Sequence, residues 1–450
     1  MSQASLLSTL SSPAAVFGAP FGLDVLRLIE ALEARGSAAI YVARDDKQAA
    51  TALKLAQFYR PALEIIRLPG WDVLPYDRVS PSPAVAAARC AALATLAQRA
   101  ANAEPCLVVT TASSLVQRVP PMETMRASSL SVYKGGRIEQ DALTSYLSIN
   151  GYIRVASVSE KGEYSIRGGK VDIFPPTGDE PVRLDLFGDE IETIKAFDPE
   201  TQLSTRTLQR VALAPVSEIL FNDQTLALFR ERYLAELGSP VGDPMYEAAR
   251  AEIRRGGIEG WLPLFHTHLD TLFDYLGASA LIGMGALAAE AASERLAQAR
   301  DYHAARLEAA GEDRQARVLA PEHLYLAEHE LSAVLQSRGV ARFHAGTSDG
   351  GLDLGGRQGR DFAPERAQPE INIFEVAAQH AKAQHDAGKT VIFAAWTEGS
   401  ASRLEGVLED HGLPDATRIY SLDAARNAEI AICELPLENG FETDDLIVIG

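Results

Sequence analysis

The sequence predicts an α/β chain: one large lobe interrupted by an α+β module, then a small second α/β unit. Three observations carry this. Over the first 120 residues apolar strands alternate with helices of ten or more residues, the pattern of a parallel sheet. From Pro120-Pro121 to about Arg210 short strands dominate, punctuated by Gly135-Gly136 and Gly168-Gly169. After a Gly/Asp-rich stretch a helix–strand alternation starts again and runs to Gly450.

In chain order, the spacing predicts strand 14–17, helix 23–34, strand 37–43, helix 47–59, strand 63–68, helix 89–98 and strand 105–111. The module 121–210 follows. Helical periodicity returns at 223–236 and 244–255. WLPLF (261–265) and ALIGM (280–284) read as strands, and 286–312 as a long, Ala-rich, charged helix. Strand 341–344 leads into GTSDGGLDLGGRQGRDFAPER, whose low hydrophobicity and many glycines predict a linker over 345–366. The last unit, 367–450, is predicted as helix 374–387, strand 390–395, helix 400–411, strand 418–422 and a final strand, DLIVIG. An α/β unit ending on a bare strand is expected to be the front part of a longer protein.

Composition narrows the classes. Hydrophobic residues make up 47% and charged residues 23%, so the chain can bury ordinary cores. A formal net charge of -19 repels phosphate backbones and argues against a grip on nucleic acid by this stretch. It suits a partner with a basic face, and equally an ordinary acidic protein. Cys90, Cys106 and Cys433 are far apart and form no metal-type pair, so neither a disulfide nor a metal is expected and a reducing compartment fits. The first 22 residues lack the basic and apolar regions of a signal peptide, and no apolar run approaches the ~20 residues that span a bilayer. A cytoplasmic chain with no membrane partner is expected.

Catalytic motifs fail on inspection. A P-loop, G-x-x-x-x-G-K-[ST], needs glycines so that backbone N–H groups wrap the phosphates, and a Lys to neutralise them. The first strand–turn–helix has Gly18 and Gly22 but no Lys, Ser or Thr, and it places Asp24 where a phosphate would be repelled. It reads as a P-loop relic or as an ordinary βα turn, and either way no nucleotide cofactor is expected. Gly388-Lys389-Thr390 lacks the upstream glycine and precedes a strand, so it reads as a turn. His266 and His268 share a strand face, with Asp270 as the nearest third ligand, but a surface or half-buried pair is the simpler reading. No catalytic residue and no cofactor follow.

The stretch 162–197 reads as three antiparallel strands with turns at Gly168-Gly169 and at 175–181, and a tight turn at Gly188-Asp189. Alternation sends Val171, Ile173, Val182, Leu184 and Leu186 to one face. The other carries Arg167, Lys170, Asp172, Phe174, Arg183, Asp185 and Phe187. An aromatic among arginines on a solvent face is the composition of a binding hot spot. If a helix covers this face instead, Phe187 is core; pattern alone leaves both open.

At this point the blocks LPGWDVLPYDRVSPSPAVAAARCAALATL (68–96), GEYSIRGGKVDIFP with VRLDLFGDEIETIKAFD, GGIEGWLPLF (256–265) with LFDYL, and the closing ENGFETDDLIVIG resemble, in order, bacterial transcription-repair coupling factors. The resemblance implies that 1–120 and 211–344 form a UvrB-like lobe of degenerate RecA/P-loop type. It makes 121–210 an inserted UvrA-binding domain and 367–450 a small third domain. It implies recruitment of UvrA to stalled transcription complexes through Arg167, Arg183 and Phe187. Ser165 stands where UvrB has a second arginine, so the arginine set is incomplete relative to UvrB. UvrB's aromatic hairpin would fall near LPYDRVSPSP, which offers only Tyr76, so direct lesion handling is not expected. RNA polymerase and DNA would be engaged by ATP-driven parts beyond Gly450, and a C-terminal domain of the whole protein would mask the UvrA face. The alternative is a fragment of a UvrB-type repair helicase with direct DNA binding.

Overall fold

A computed structural model describes residues 3–99, 104–310, 317–347, 350–368 and 370–450. Its largest sheet has seven strands in the order Leu352–Asp353, Pro13–Phe17, Val340–Phe343, Leu281–Met284, Ala39–Ala43, Cys106–Thr111, Glu64–Leu68, all parallel. Leu281–Met284 and Val340–Phe343 slot between Pro13–Phe17 and Ala39–Ala43, so one sheet is completed by chain lying on both sides of the inserted module. Ala39–Ala43 and Cys106–Thr111 are buried throughout, as central strands covered on both faces must be. One apolar cluster, around Leu93, Phe229 and Trp261, fills one face; another, around Leu23, Leu28 and Tyr59, fills the other.

The inserted module holds a six-stranded sheet, Ser204–Leu208, Glu190–Phe197, Val182–Phe187, Lys170–Ile173, Glu163–Arg167, Ile153–Arg154. Only the last pair is parallel. The three strands read from the sequence are thus the middle of a larger sheet. Helix Gln140–Ile149 packs Leu143 and Leu147 on Val171, Ile173, Leu184 and Ile194. A ribbon of Leu130–Tyr133 against Arg210–Leu213 closes the neck.

The third unit has its own sheet, Arg357–Gln358, Phe441–Glu442, Leu446–Ile449, Thr390–Ala395, Ile430–Glu434, Ala416–Arg418, with its last four strands parallel. Leu435, Leu437 and Phe441 lie in the same apolar cluster as Leu23 and Tyr59 of the lobe, so the two units share a core.

Several local readings change. Within the predicted linker 345–366, of which 348 and 349 lie outside the described residues, Leu352–Asp353 extends the lobe sheet and Arg357–Gln358 extends the third. Backbone pairing needs no apolar side chain, so composition could not show it. Its glycines allow close approach, since a Cβ on Gly356 would lie 2.1 Å from Leu23 Cδ2. WLPLF belongs to a 3-10 helix, Ile258–Phe265, and not to a strand; an apolar run buried on all sides has no period to read. The helix expected from 89 begins at Pro83, where Ser82 caps it by accepting the Val85 N–H. The helix expected over 244–255 stops at Arg250. The strand expected over 418–422 is Ala416–Arg418 followed by helix Leu422–Ala425. Helix Ala288–Ala310 takes the place of 286–312, of which 311 and 312 lie outside the described residues.

Candidate functional site

The outer face of the inserted sheet is set by register. Ser165, Asp172, Arg183 and Lys195 form one cross-strand row; Arg167, Lys170, Asp185 and Thr193 form the next. Phe187 stands opposite Glu190 at the Gly188-Asp189 turn. It is 80% exposed, so the reading in which a helix buries it is overturned: helix Gln140–Ile149 covers the opposite face. At the far end of the outer face Val155 and Val158 pack on Phe174 and Phe197. Leu186 N donates to Gly169 O at 2.7 Å, which brings the Gly168-Gly169 turn, with exposed Arg167 and Lys170, to the Phe187 end.

Arg183 differs from its two companions. Its Nε and Nη2 donate to the two oxygens of buried Asp172 at 2.7 and 2.9 Å, and its guanidinium lies 4.8 Å from the Phe197 ring centroid. The bond to Asp172 raises its already high pKa, so it stays charged. Arg167 donates to the Ala156 carbonyl and is otherwise in solvent. Asp185 accepts from Thr193 Oγ1 at 2.7 Å and lies 3.7 Å from Lys170 Nζ. The structure therefore brings Arg167, Lys170 and Phe187 together at one open end and sets Arg183 inward, on an internal partner.

The phosphate-loop position is filled from within. Asp24 is buried, not facing a vacant phosphate site as expected. Its Oδ1 accepts the N–H groups of Gly22 (2.9 Å) and Val25 (2.7 Å), and its Oδ2 accepts Tyr41 O–H at 2.7 Å. The carboxylate takes helix N-terminal donors of the kind that would hold an anion. The turn is also closed from outside. A Cβ on Gly22, at φ 101, would meet Phe441 at 3.0 Å and Leu437 at 3.4 Å; one on Gly18 would meet Asp353 Oδ1 at 2.2 Å.

Burial pushes the Asp24 carboxyl up to about 6, against the hydrogen bonds that favour its charge. A folded-state pKa above the unfolded 3.8 means a contribution fully present below pH 4 and lost as pH rises through 6. The loss is about 3 kcal/mol by linkage. In Asp24→Asn the amide oxygen still accepts both N–H groups and the amide N–H can donate to Tyr41. Urea unfolding should show the variant more stable than the parent at pH 8, by roughly 2 kcal/mol. The gain should vanish near pH 4, the unfolded carboxyl's own range.

A buried network went unread in the motif blocks. Arg89, fully buried, donates to Glu218 (2.7 Å), the Pro69 carbonyl (2.7 Å) and Ser114 Oγ (3.1 Å). Trp71 Nε1 donates to the same Glu218 carboxylate at 2.9 Å. His266 Nε2 meets the Glu218 carbonyl at 3.0 Å, and burial lowers the imidazole pKa, so it is a neutral core group. His268 is exposed, 3.4 Å from Asp270. Among the described residues no group of three or more His, Cys, Asp or Glu is placed to hold a metal. Tyr76, at φ 61, donates to Leu319 O at 3.0 Å and receives two bonds from Arg306 on its carbonyl; no strand forms between Leu68 and Pro83. The only signal for the network was one Arg in an Ala-rich helix, Arg89, since its partners lie far along the chain.

No helix among the described residues is long and apolar enough to cross a membrane. Residues 130–219 match the family model described as the UvrB interaction domain. The chain is 29% identical over 429 residues to the transcription-repair-coupling factor of Haemophilus influenzae, covering 93% of this chain and 36% of that protein. Against that of Escherichia coli K12 it is 34% identical over 277 residues, 61% of this chain and 23% of the relative. Against that of Myxococcus xanthus it is 36% identical over 222 residues, 48% of this chain and 18% of the relative. The chain thus spans about a third of the length of relatives such as the Haemophilus protein. Over most of its length the chain is similar to the transcription-repair-coupling factors, and its inserted module is similar to the UvrB interaction domain.

Proposed function

We propose that this chain recruits UvrA in transcription-coupled repair, docking it on the outer face of the inserted sheet. The observation that carries the reading is Phe187, 80% exposed on the module that matches the UvrB interaction domain, with Arg167 and Lys170 at the same end. A large aromatic in solvent has no folding role, and an aromatic beside arginines is the usual energetic centre of an interface. Arg167 would pair with carboxylates of UvrA and Phe187 would enter an apolar depression. Arg183, on Asp172, would hold the strand and lend its remaining N–H groups. Polymerase engagement, DNA translocation and ATP hydrolysis would belong to further parts of a longer protein, and masking of this face to a domain of that protein. The chain itself would run no nucleotide chemistry: Asp24 supports this by taking the N–H donors a phosphate would need.

The test is capture of purified UvrA by the immobilised chain. The parent should retain UvrA and Arg183→Ala/Phe187→Ala should not; undiminished capture by the variant removes the site. In the same preparation, micromolar binding of ATP would overturn the nucleotide half of the proposal.

A further inference from the structure

Away from the sheet face, residues 76–78 and 255–257 line a cleft of about 330 Å³. Gly257, at φ 82, makes the closure possible, because a Cβ there would lie 3.0 Å from the Asp77 carbonyl oxygen. Four arginines and two aspartates line the cleft, a local positive excess in a chain of net charge -19.

Two of these arginines are committed. Arg306 donates twice to the Tyr76 carbonyl, and Arg317 donates to Tyr233 Oη beside Asp243, 3.7 Å away. The Asp243 oxygens are themselves occupied by Met245 N, Tyr246 N and Tyr233 O–H. Arg78 and Arg255 are exposed, and no described residue accepts from either guanidinium. Pro244 and Met245 line the same cleft and give it an apolar side.

We infer that this cleft binds an acidic peptide segment of a partner protein. Its carboxylates pair with Arg78 and Arg255, and a neighbouring apolar side chain rests on Pro244 and Met245. A peptide fits better than nucleic acid on two grounds. Two free guanidinia neutralise few phosphates, while the chain's overall charge acts against a polyanion along its whole length. The apolar flank has no use for phosphate or sugar, whereas a carboxylate next to an apolar side chain satisfies both features at once. The inference is independent of the UvrA reading, since the cleft lies outside the inserted sheet.

The experiment is selection of random dodecapeptides displayed on phage against the immobilised chain, followed by titration of the selected peptides. Peptides with Asp or Glu beside Leu, Ile, Val or Phe should be enriched. They should bind Arg78→Ala/Arg255→Ala at least about tenfold more weakly, the loss typical of charged anchors. Both side chains are exposed, so the variant's thermal unfolding should match the parent's. Absence of acidic enrichment, or equal binding to the variant, overturns the inference. So does arginine-dependent binding of oligo(dT) that outcompetes the peptides, which would give the cleft to nucleic acid.

Discussion

Glu218→Ala should cost about 3–5 kcal/mol of stability, the penalty for leaving one partner of a buried ion pair alone. The geometry makes the high end of that range reasonable. Arg89 is completely buried and would keep only Pro69 O and Ser114 Oγ as acceptors, with its charge uncompensated. Trp71 Nε1 would lose its acceptor too. Glu218 lies on the return path from the inserted module, while Arg89 and Trp71 belong to the first part of the lobe. The pair therefore ties the module's exit to the helix Pro83–Gln98. Urea unfolding followed by tryptophan fluorescence gives the cost. Arg89→Leu/Glu218→Leu should lose less than the sum of its single variants, because removing both charges leaves none buried without a partner. If Glu218→Ala changes stability by less than about 1 kcal/mol, the pair does not hold the neck.

That network also shows where sequence reasoning stops. The parallel strands were legible because Ala39–Ala43 and Cys106–Thr111 are apolar throughout and flanked by helices with a clear period. The faces of the inserted sheet were legible because alternation is a local property: Val171, Ile173, Val182 and Leu184 are buried where the pattern put them, and Phe187 is outside. What depended on distant partners was not. Arg89 and Glu218 are 129 positions apart, and nothing local says that they meet. Asp24 looked like an electrostatic obstacle to phosphate; its role as the acceptor inside the turn needs Tyr41 and the folded N–H groups. The glycines at 355 and 356 suggested flexibility because composition cannot distinguish freedom from tight packing against Leu23 and Gly18. Likewise Arg183 and Arg167 looked equivalent in one dimension. Only the cross-strand register, which sets Arg183 opposite Asp172, separates them.

The separation decides how the proposed UvrA face should respond to mutation. Phe187→Ala removes a side chain that is 80% exposed and so should leave the melting temperature essentially unchanged. If Phe187 is the central anchor, binding should weaken by ~2 kcal/mol or more, roughly thirtyfold in Kd. Arg183→Ala should act twice. It leaves the Asp172 carboxylate, 5% exposed, without its partner, which destabilises the module, and it also weakens UvrA binding. Loss of binding by Arg183→Ala alone therefore cannot say whether the guanidinium touches UvrA. Asp172→Ala/Arg183→Ala can, since it removes the unpaired charge. Recovery of both stability and binding would make Arg183 a positioning residue, acting through the strand that presents Phe187. Recovery of stability without binding would place its guanidinium in the contact. In isothermal titration of UvrA, Phe187→Ala binding as tightly as the parent would displace the anchor from this end of the sheet altogether.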